Sequence, residues 1–487
     1  MSNKSICIVG SGIGGGTLAK RLSGFYDTVY IVEAGNFNKE FLELKTENSM
    51  SSFGLSATRS VSVGGTSTLW HGVLGRLDEI DFKERIDLGL PGWPFDLCHL
   101  GPYYREAEYE LGLEFPRSKT GFNADDLIDK YANDISVDFS VLSNKIFRQR
   151  DPCADLSDSV RELELKDQII LLANHCALQF EFEDAKVRHL VCGTSSGTVH
   201  VKADQYVVCC GALESPRLLL NSGLKHSNIG KNLLDHPMGN LAQLKFSKPM
   251  FAPLYSDMRT GKNQKLKSGL VIKDNILLKH GLLNHCFYLR PSFTPGLSHK
   301  SDLLKNKLLL IKSGKLKLMD YVELIGNFHV LVQILIYKLS LKVKFRYADL
   351  FFVCEQVPNP GNYVCLSNDI DEWGYKKARI NWQYSEQEHS KLISWFTHII
   401  PSFSRGQFNL TSKPTTKIRF TSAAHHLGTC RMGDSSVNSV IDSNLKVHGV
   451  DNLFVCDGSV FPSGGNVNPG LTIAAIAVRL SDYLKKL

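Results

Sequence analysis

Residues 6–33 read ICIVGSGIGGGTLAKRLSGFYDTVYIVE. The apolar run Ile6-Cys7-Ile8-Val9 leads straight into Gly10, Gly12 and Gly15, a helix-forming stretch follows over 17–23, and a second apolar run, Val29-Tyr30-Ile31-Val32, ends at Glu33. This succession is the strand, tight turn, helix and strand of a Rossmann unit, in which glycines let backbone approach a pyrophosphate resting on a helix N-terminus. Glu33 stands 23 residues past Gly10, where a carboxylate accepts hydrogen bonds from a ribose diol and repels a 2′-phosphate. That disfavours NADP. A GxGxxG alone also fits an ordinary turn; the strand before it, the helix after it and the spaced carboxylate decide for a dinucleotide.

Nicotinamide and flavin dinucleotides share this first contact, so later segments must choose between them. Residues 205–223, QYVVCCGALESPRLLLNSG, read as a buried strand, a turn at Gly211-Ala212 and a helix returning to the nucleotide sheet. The run Asn452-Leu453-Phe454-Val455-Cys456 returns once more and delivers Asp457-Gly458 at its end. A carboxylate there can bind ribityl hydroxyls, which only a flavin has, although Asp-Gly is also common turn chemistry. Three further glycine-bearing segments are GGTSTLWHG at 64–72, HHLGTCRMG at 425–433 and NPGLT at 468–472.

In their order and over nearly the whole chain, these motifs resemble the glucose-methanol-choline (GMC) family of FAD-dependent oxidoreductases. The resemblance implies an α/β fold: a discontinuous, Rossmann-like FAD-binding domain (1–80, 160–240 and 415–487) and an α+β substrate domain with an antiparallel sheet (81–159 and 241–414). Expected cofactor contacts are Gly10, Gly12, Gly15 and Glu33, then Gly64, Gly65, Thr66 and Ser67 along the flavin, with Ala177, Gly211, Asp457, Gly458, Asn468 and Pro469 from later segments. Some members attach FAD covalently through a histidine in the 64–72 region, in the pyranose-oxidising branch just before the tryptophan that matches Trp70. Leu69 stands there and His71 follows instead, so non-covalent FAD is expected, with His71 as the residue that would overturn it.

Oxidising an alcohol removes a hydride and a proton, and a neutral imidazole suits the second task near pH 7. The family pattern H-x-x-G-T, counted back from Gly428, selects His425 as base; neighbouring His426 is expected to point elsewhere. Asn468 occupies the position of the family's Asn or second His and is expected to hold the substrate oxygen. Asn468-Pro469 also reads as an N-cap and first-turn proline of the helix LTIAAIAVRLSDYL. The expected reaction is FAD-dependent oxidation of CH–OH by hydride transfer to flavin N5, by a dehydrogenase rather than an oxidase. The resemblance of GGTSTLW and of EQVPNPGNYVCLS (355–367) points to a sugar, glycoside or polyol. A lipidic alcohol oxidised at a membrane surface, or a flavin-dependent lyase, remains the alternative, and the electron acceptor is open.

The chain's 487 residues correspond to about three domain equivalents. Twelve cysteines without metal-ligand spacing read as reduced core residues of a cytoplasmic protein, with neither zinc nor a disulfide framework. A first strand this close to Met1 leaves no room for a signal peptide. Residues 300–346 hold ten Lys or Arg against three acids, a surplus equal to the formal +7 of the whole chain. Within them, 324–337 is an uncharged run of 14 residues, short of the roughly 20 needed to span a bilayer. The leucine-lysine alternation fits helices packed on the core, a shield over the active-site entrance, or peripheral contact with an anionic membrane. Without interleaved aromatics it does not fit nucleic acid. Runs of β-formers at 241–246, 269–272, 284–289, 350–354, 363–366 and 378–384 predict the antiparallel sheet, and 81–155 predicts a mostly helical covering segment.

Overall fold

The computed structural model describes residues 4–38, 40–41, 45–47, 58–113, 137–250, 255, 258–259, 263–292, 318–328, 331–332, 335, 344–403, 408–410 and 421–487. A parallel sheet of five strands runs in the order Leu453–Val455, Gln205–Val208, Ser5–Val9, Thr28–Glu33, Ile170–Ala173. Its central strands are apolar on both faces because both are covered, as parallel sheets require. Ile6, Cys7, Ile8, Tyr206, Val207, Val208 and Phe454 are all fully buried.

The first helix, Ile13–Leu22, starts four residues earlier than its apolar pattern suggests, inside the glycine run. Glycine makes this close approach possible. A Cβ on Gly15 would lie 1.9 Å from the Gly10 carbonyl oxygen, and one on Gly14 would lie 2.1 Å from that of Cys456. The helix can therefore lie directly on the strands beside the C-terminal helix Gly470–Leu484.

Among the described residues, the second sheet has nine strands and carries most of the expected β runs. Seven follow the path Phe408–Leu410, Pro237–Met250, Phe345–Cys354, His285–Ser292, Gln264–Ile272, Leu142–Arg150, Val73–Leu74, with Met258–Arg259 paired to the fifth and Thr421–Ser422 to the second, and the pairings are antiparallel. Phe246, Phe287, Phe352, Phe396 and Phe403 are fully buried beneath it, each contributing roughly 1.5–3 kcal/mol by removal from water. The helix Glu386–Ile399, opened by a Ser385/Glu388 capping box, supplies Phe396.

Two expectations need correction, and a third lies largely outside the described residues. The runs at 363–366 and 378–384 do not join this sheet: Tyr363–Ile370 and Lys376–Asn381 form a separate hairpin beside Lys45–Glu47. They are held away by backbone contact with 230–233, where a Cβ on Gly230 would sit 2.0 Å from the Val364 oxygen. The segment 81–155 contains the helix Leu97–Glu110, N-capped by Asp96, but also the strand Leu142–Arg150. That strand reads as polar because its lysine and arginine have partners distant in sequence: Lys145 with Asp78 at 2.7 Å and Arg148 with Glu108 at 3.3 Å. Finally, of 300–346 only 318–328, 331–332, 335 and 344–346 are described, including the helix Leu318–Gly326; the rest of that leucine-lysine expectation lies outside the described residues. No helix among the described residues is long and apolar enough to cross a membrane.

Candidate active site

The glycine turn is tied to the 64–69 loop through Ser11, a residue to which the sequence patterns assign no role. Its amide and hydroxyl donate to one Glu33 oxygen at 3.0 and 2.6 Å, the Gly35 amide donates to the other at 3.1 Å, and the Gly64 amide donates to the Ser11 hydroxyl at 2.9 Å. Burial raises the Glu33 carboxyl and these donors oppose that rise. Ser67, expected as a donor toward the ring system, instead donates to the Gly64 carbonyl at 2.6 Å and accepts from the Leu156 amide at 3.0 Å. It fixes the loop.

A cavity of about 450 Å³ runs between these elements. Gly10, Gly12, Glu33, Gly65, Thr66, Ser67, Ala177, Gly211, Asp457, Gly458, Asn468 and Pro469 line it, together with His71, His425 and His426. Gly15 and Gly64 are not among the lining residues. Gly15 serves the helix-on-strand packing described above, and Gly64 serves its turn: its φ is +88°, and a Cβ would lie 2.6 Å from the Ser157 nitrogen.

The lining fits an extended dinucleotide. At Gly12 a Cβ would meet no protein atom within 4 Å, so the absence of a side chain there serves the cavity and not the packing; the space at Gly211 is equally open, but its φ of +79° already favours glycine. Asp457 accepts from the Ser459 amide at 2.7 Å, the Gly211 amide at 2.9 Å and the Ser215 hydroxyl at 2.6 Å. It therefore locks the second glycine turn, and a bound hydroxyl would share oxygens already in use.

Backbone pairing brings together histidines 189 residues apart. Pro237 opposes Ser422, Leu234 and Leu427 exchange two hydrogen bonds at 3.0 Å, and the Ala423 amide donates to the His236 carbonyl at 3.1 Å. Asp235 fastens the junction, accepting from the amides of His236 at 2.7 Å and His425 at 2.8 Å and from the Ser422 hydroxyl. Ala424 enters the left-handed region at φ +57° just before His425, an uncommon conformation for a residue with a Cβ.

The ring contacts then define the tautomers. The Gly464 carbonyl, 3.2 Å from His236 Nε2, can only accept, so His236 carries its proton on Nε2 and presents a lone pair at Nδ1. His425 Nδ1, 2.8 Å away, must donate to it. The lone pair of His425 is thereby left on Nε2, which accepts from Asn468 Nδ2 at 3.1 Å. Burial pushes His236 down to about 4; burial first, then His236 and the Arg59 charge, hold His425 well below 6.5. The pair is neutral near pH 7.

His426 also lines the cavity, contrary to the expectation that it points elsewhere, but its Nδ1 accepts from Arg59 Nε at 2.9 Å. The Arg59 guanidinium further donates to the carbonyls of Thr58 and Ala424, and burial lowers it to about 10. Asp235, His236 and Arg59 escape sequence reasoning because no spacing links them to 425; pairing of 234–238 with 421–427 brings in the first two, and hydrogen bonds to His426 and Ala424 bring in Arg59. Asn468 does not cap the final helix. That helix begins at Gly470 with Pro469 at its N-cap, and the Asn468 side chain turns to His425 instead.

Two GMC oxidoreductase family models match the chain, over residues 165–238 and 358–477. A 2-methyl-1,2-propanediol dehydrogenase from Mycolicibacterium austroafricanum is 26% identical in an alignment covering 87% of this chain and 81% of the relative. A 6'''-hydroxyparomomycin C oxidase from Streptomyces lividus is also 26% identical, covering 98% and 90%. Among solved structures, pyridoxine 4-oxidase from Mesorbium loti matches with a TM-score of 0.61 at 19% identity over 100% of both chains. A formate oxidase variant from Aspergillus oryzae matches at 0.57 and 16% over 100% and 99%. These structural likenesses establish the fold. With the motif order, the cavity lined by the glycine turn and Glu33, and both family matches in agreement, the chain belongs to the GMC oxidoreductase family, a flavoprotein oxidoreductase with FAD as its cofactor.

Proposed function

We propose that this protein oxidises the CH–OH group of an alcohol to a carbonyl, with His425 taking the hydroxyl proton. The observation that carries the reading is the chain from the Gly464 carbonyl through His236 to His425 and Asn468, which leaves a basic lone pair on the cavity side of a neutral imidazole. When bound, FAD supplies a two-electron acceptor for the carbon-bound hydrogen. The glycine turn at 10–12 would give its pyrophosphate room, and Glu33 would supply an acceptor for a ribose hydroxyl.

An alcohol oxygen that replaced the direct hydrogen bond from Asn468 Nδ2 to His425 Nε2 would accept from the amide and donate to the imidazole. Proton transfer makes His425 a cation bearing hydrogen on both nitrogens, and the His236 lone pair continues to accept from Nδ1. Asn468 thus orients the oxygen while His425 holds the proton.

A sugar, glycoside or polyol is the proposed substrate class, supported by relatives named for a diol and an aminoglycoside. FAD is proposed to be non-covalent even though His71 lines the cavity; acid precipitation should leave the yellow colour in the supernatant. We take dye reduction to be faster than oxygen consumption, as for a dehydrogenase. The deciding experiment mixes the protein anaerobically with sugars, glycosides, polyols and long-chain alcohols and follows bleaching of the flavin. Bleaching by one class identifies the substrate; no bleaching by any would favour non-oxidative chemistry and remove the proposal.

A further inference from the structure

The loop 463–468 carries both hydrogen bonds on which the histidine pair depends. Gly464 offers its carbonyl to His236 Nε2 at 3.2 Å, and Asn468 Nδ2 donates to His425 Nε2 at 3.1 Å. The loop has no helix or strand of its own to hold it. Two glycines let it pass through a narrow gap: a Cβ on Gly464 would lie 2.8 Å from His236 Nε2, and one on Gly465, whose φ is +60°, would lie 2.6 Å from Asp81 Oδ2. Ser463 fastens the near end, its hydroxyl donating to the Asp81 carbonyl at 3.0 Å and accepting from Trp93 Nε1 at 3.1 Å.

Midway between Gly464 and Asn468 stands Asn466, fully buried and bound on both polar atoms of its amide. Its Oδ1 accepts from Lys145 Nζ at 2.9 Å, and its Nδ2 donates to Asn284 Oδ1 at 2.7 Å and to Asp78 Oδ2 at 3.2 Å. Lys145 can only donate, and the Asp78 carboxylate 2.7 Å from that ammonium accepts, so the amide has one orientation. Asn284 is held in turn by donating to Asp81 Oδ1 at 2.8 Å. Lys145 lies on the strand Leu142–Arg150, and Asn284 directly precedes the strand His285–Ser292. Through Asn466 the second sheet therefore grips the loop, and buried polar groups paired in this way fix the backbone that carries them.

We infer that Asn466 is a positioning residue for the oxidation, holding the loop 463–468 where Gly464 sets the His236 tautomer and Asn468 meets His425. It acts through the residues two places before and after it, and not on the substrate. The inference rests on the reading of His425 as the base. An amide that only filled a polar hole would contribute to stability and leave the histidine pair as it is.

The test compares the FAD-loaded full-length chain with its Asn466→Ala variant. Nitrogen NMR shifts of the imidazoles in histidine-labelled protein need no substrate: His236, protonated on Nε2 in the wild type, should show a mixture of tautomers in the variant. Anaerobic flavin reduction, by glucose or by the first sugar, glycoside or polyol that bleaches the wild type, should slow by about ten-fold, since an ångström of misplacement costs up to roughly 10²-fold. In a His236→Leu or Asn468→Ala background the same change should cost less, because what Asn466 positions is already gone; a purely structural amide would act additively. Lys145→Met removes the donor without touching the loop and should produce the same tautomer mixture and rate loss, even if Asn466→Ala does not fold. Additive costs in both backgrounds, or an unchanged His236 tautomer, would overturn the inference while leaving His425 as the base. Failure of every alcohol to bleach the wild type, or an unimpaired His425→Ala variant, would remove that reading and the inference with it.

Discussion

The Nδ1 atoms of His236 and His425 face each other at 2.8 Å, a separation that requires a proton on one and a lone pair on the other. The Gly464 carbonyl decides which, and a backbone oxygen far from 425 in sequence thereby sets the tautomer of the proposed base. His236 is in this reading a positioning residue. His236→Leu should slow anaerobic flavin reduction by about ten-fold or more, part of the roughly 10²- to 10⁴-fold attributable to general-base assistance, with FAD still bound. His236→Gln can donate to Gly464 and accept from His425, so it should recover most of the loss. Equal rates for Leu and Gln variants would show that the ring only fills space.

His425→Ala tests the base itself. Flavin reduction should fall by about 10²- to 10⁴-fold, while the visible spectrum of bound FAD and the thermal midpoint change little. Asn468→Ala should act differently, since losing an oriented oxygen weakens substrate binding as well as the rate; a raised KM alongside a lowered kcat is expected. Stopped-flow traces across substrate concentrations separate the two, and an unimpaired rate in the His425 variant would eliminate the assignment.

The pH dependence follows from the direction of the His425 shift. Burial, then charge repulsion from a protonated His236 and from cationic Arg59, disfavour its protonation, so the competent neutral imidazole persists below 6.5. On lowering pH from about 8, kcat/KM, which reports the free enzyme, should stay flat through 6.5 and decline only at more acidic values. Arg59→Met removes one of the depressing charges and should move that decline to higher pH. A wild-type inflection at or above 6.5 would contradict this account of the site.

What the sequence displays and what it hides divide along physical lines. The glycine turn and Glu33 are legible because each belongs to a local pattern with a chemical reason for its spacing, whereas His425 and Asn468 are singled out by the resemblance of their segments to the family's patterns. Asp235, His236, Arg59 and Ser11 act through hydrogen bonds formed only when segments 22 to 367 residues apart meet. The strand Leu142–Arg150 was hidden for the same reason: its lysine and arginine look like solvent-facing residues until Asp78 and Glu108 are seen beside them. Asn468 carried two compatible local readings, and of these the structure shows the tertiary one, with Asn468 Nδ2 donating to His425 Nε2 and Pro469 at the helix N-cap.

The glycines of the first turn separate cofactor space from packing space. At Gly12 an added Cβ meets no protein within 4 Å but enters a wall of the cavity. Gly12→Val should therefore yield a folded protein with a near-normal far-ultraviolet spectrum and no yellow colour. Gly15 is the opposite case. Its Cβ would lie 1.9 Å from the Gly10 carbonyl oxygen, so Gly15→Ala must push the first helix off its strand, and overpacking of this kind costs about 1–3 kcal/mol or more. A lowered thermal midpoint is expected there even for protein prepared with excess FAD, because the strain lies within the polypeptide. If Gly12→Val kept its full flavin content, the turn would not be the pyrophosphate site; if Gly15→Ala melted like the parent, the close helix-strand contact would not constrain the fold.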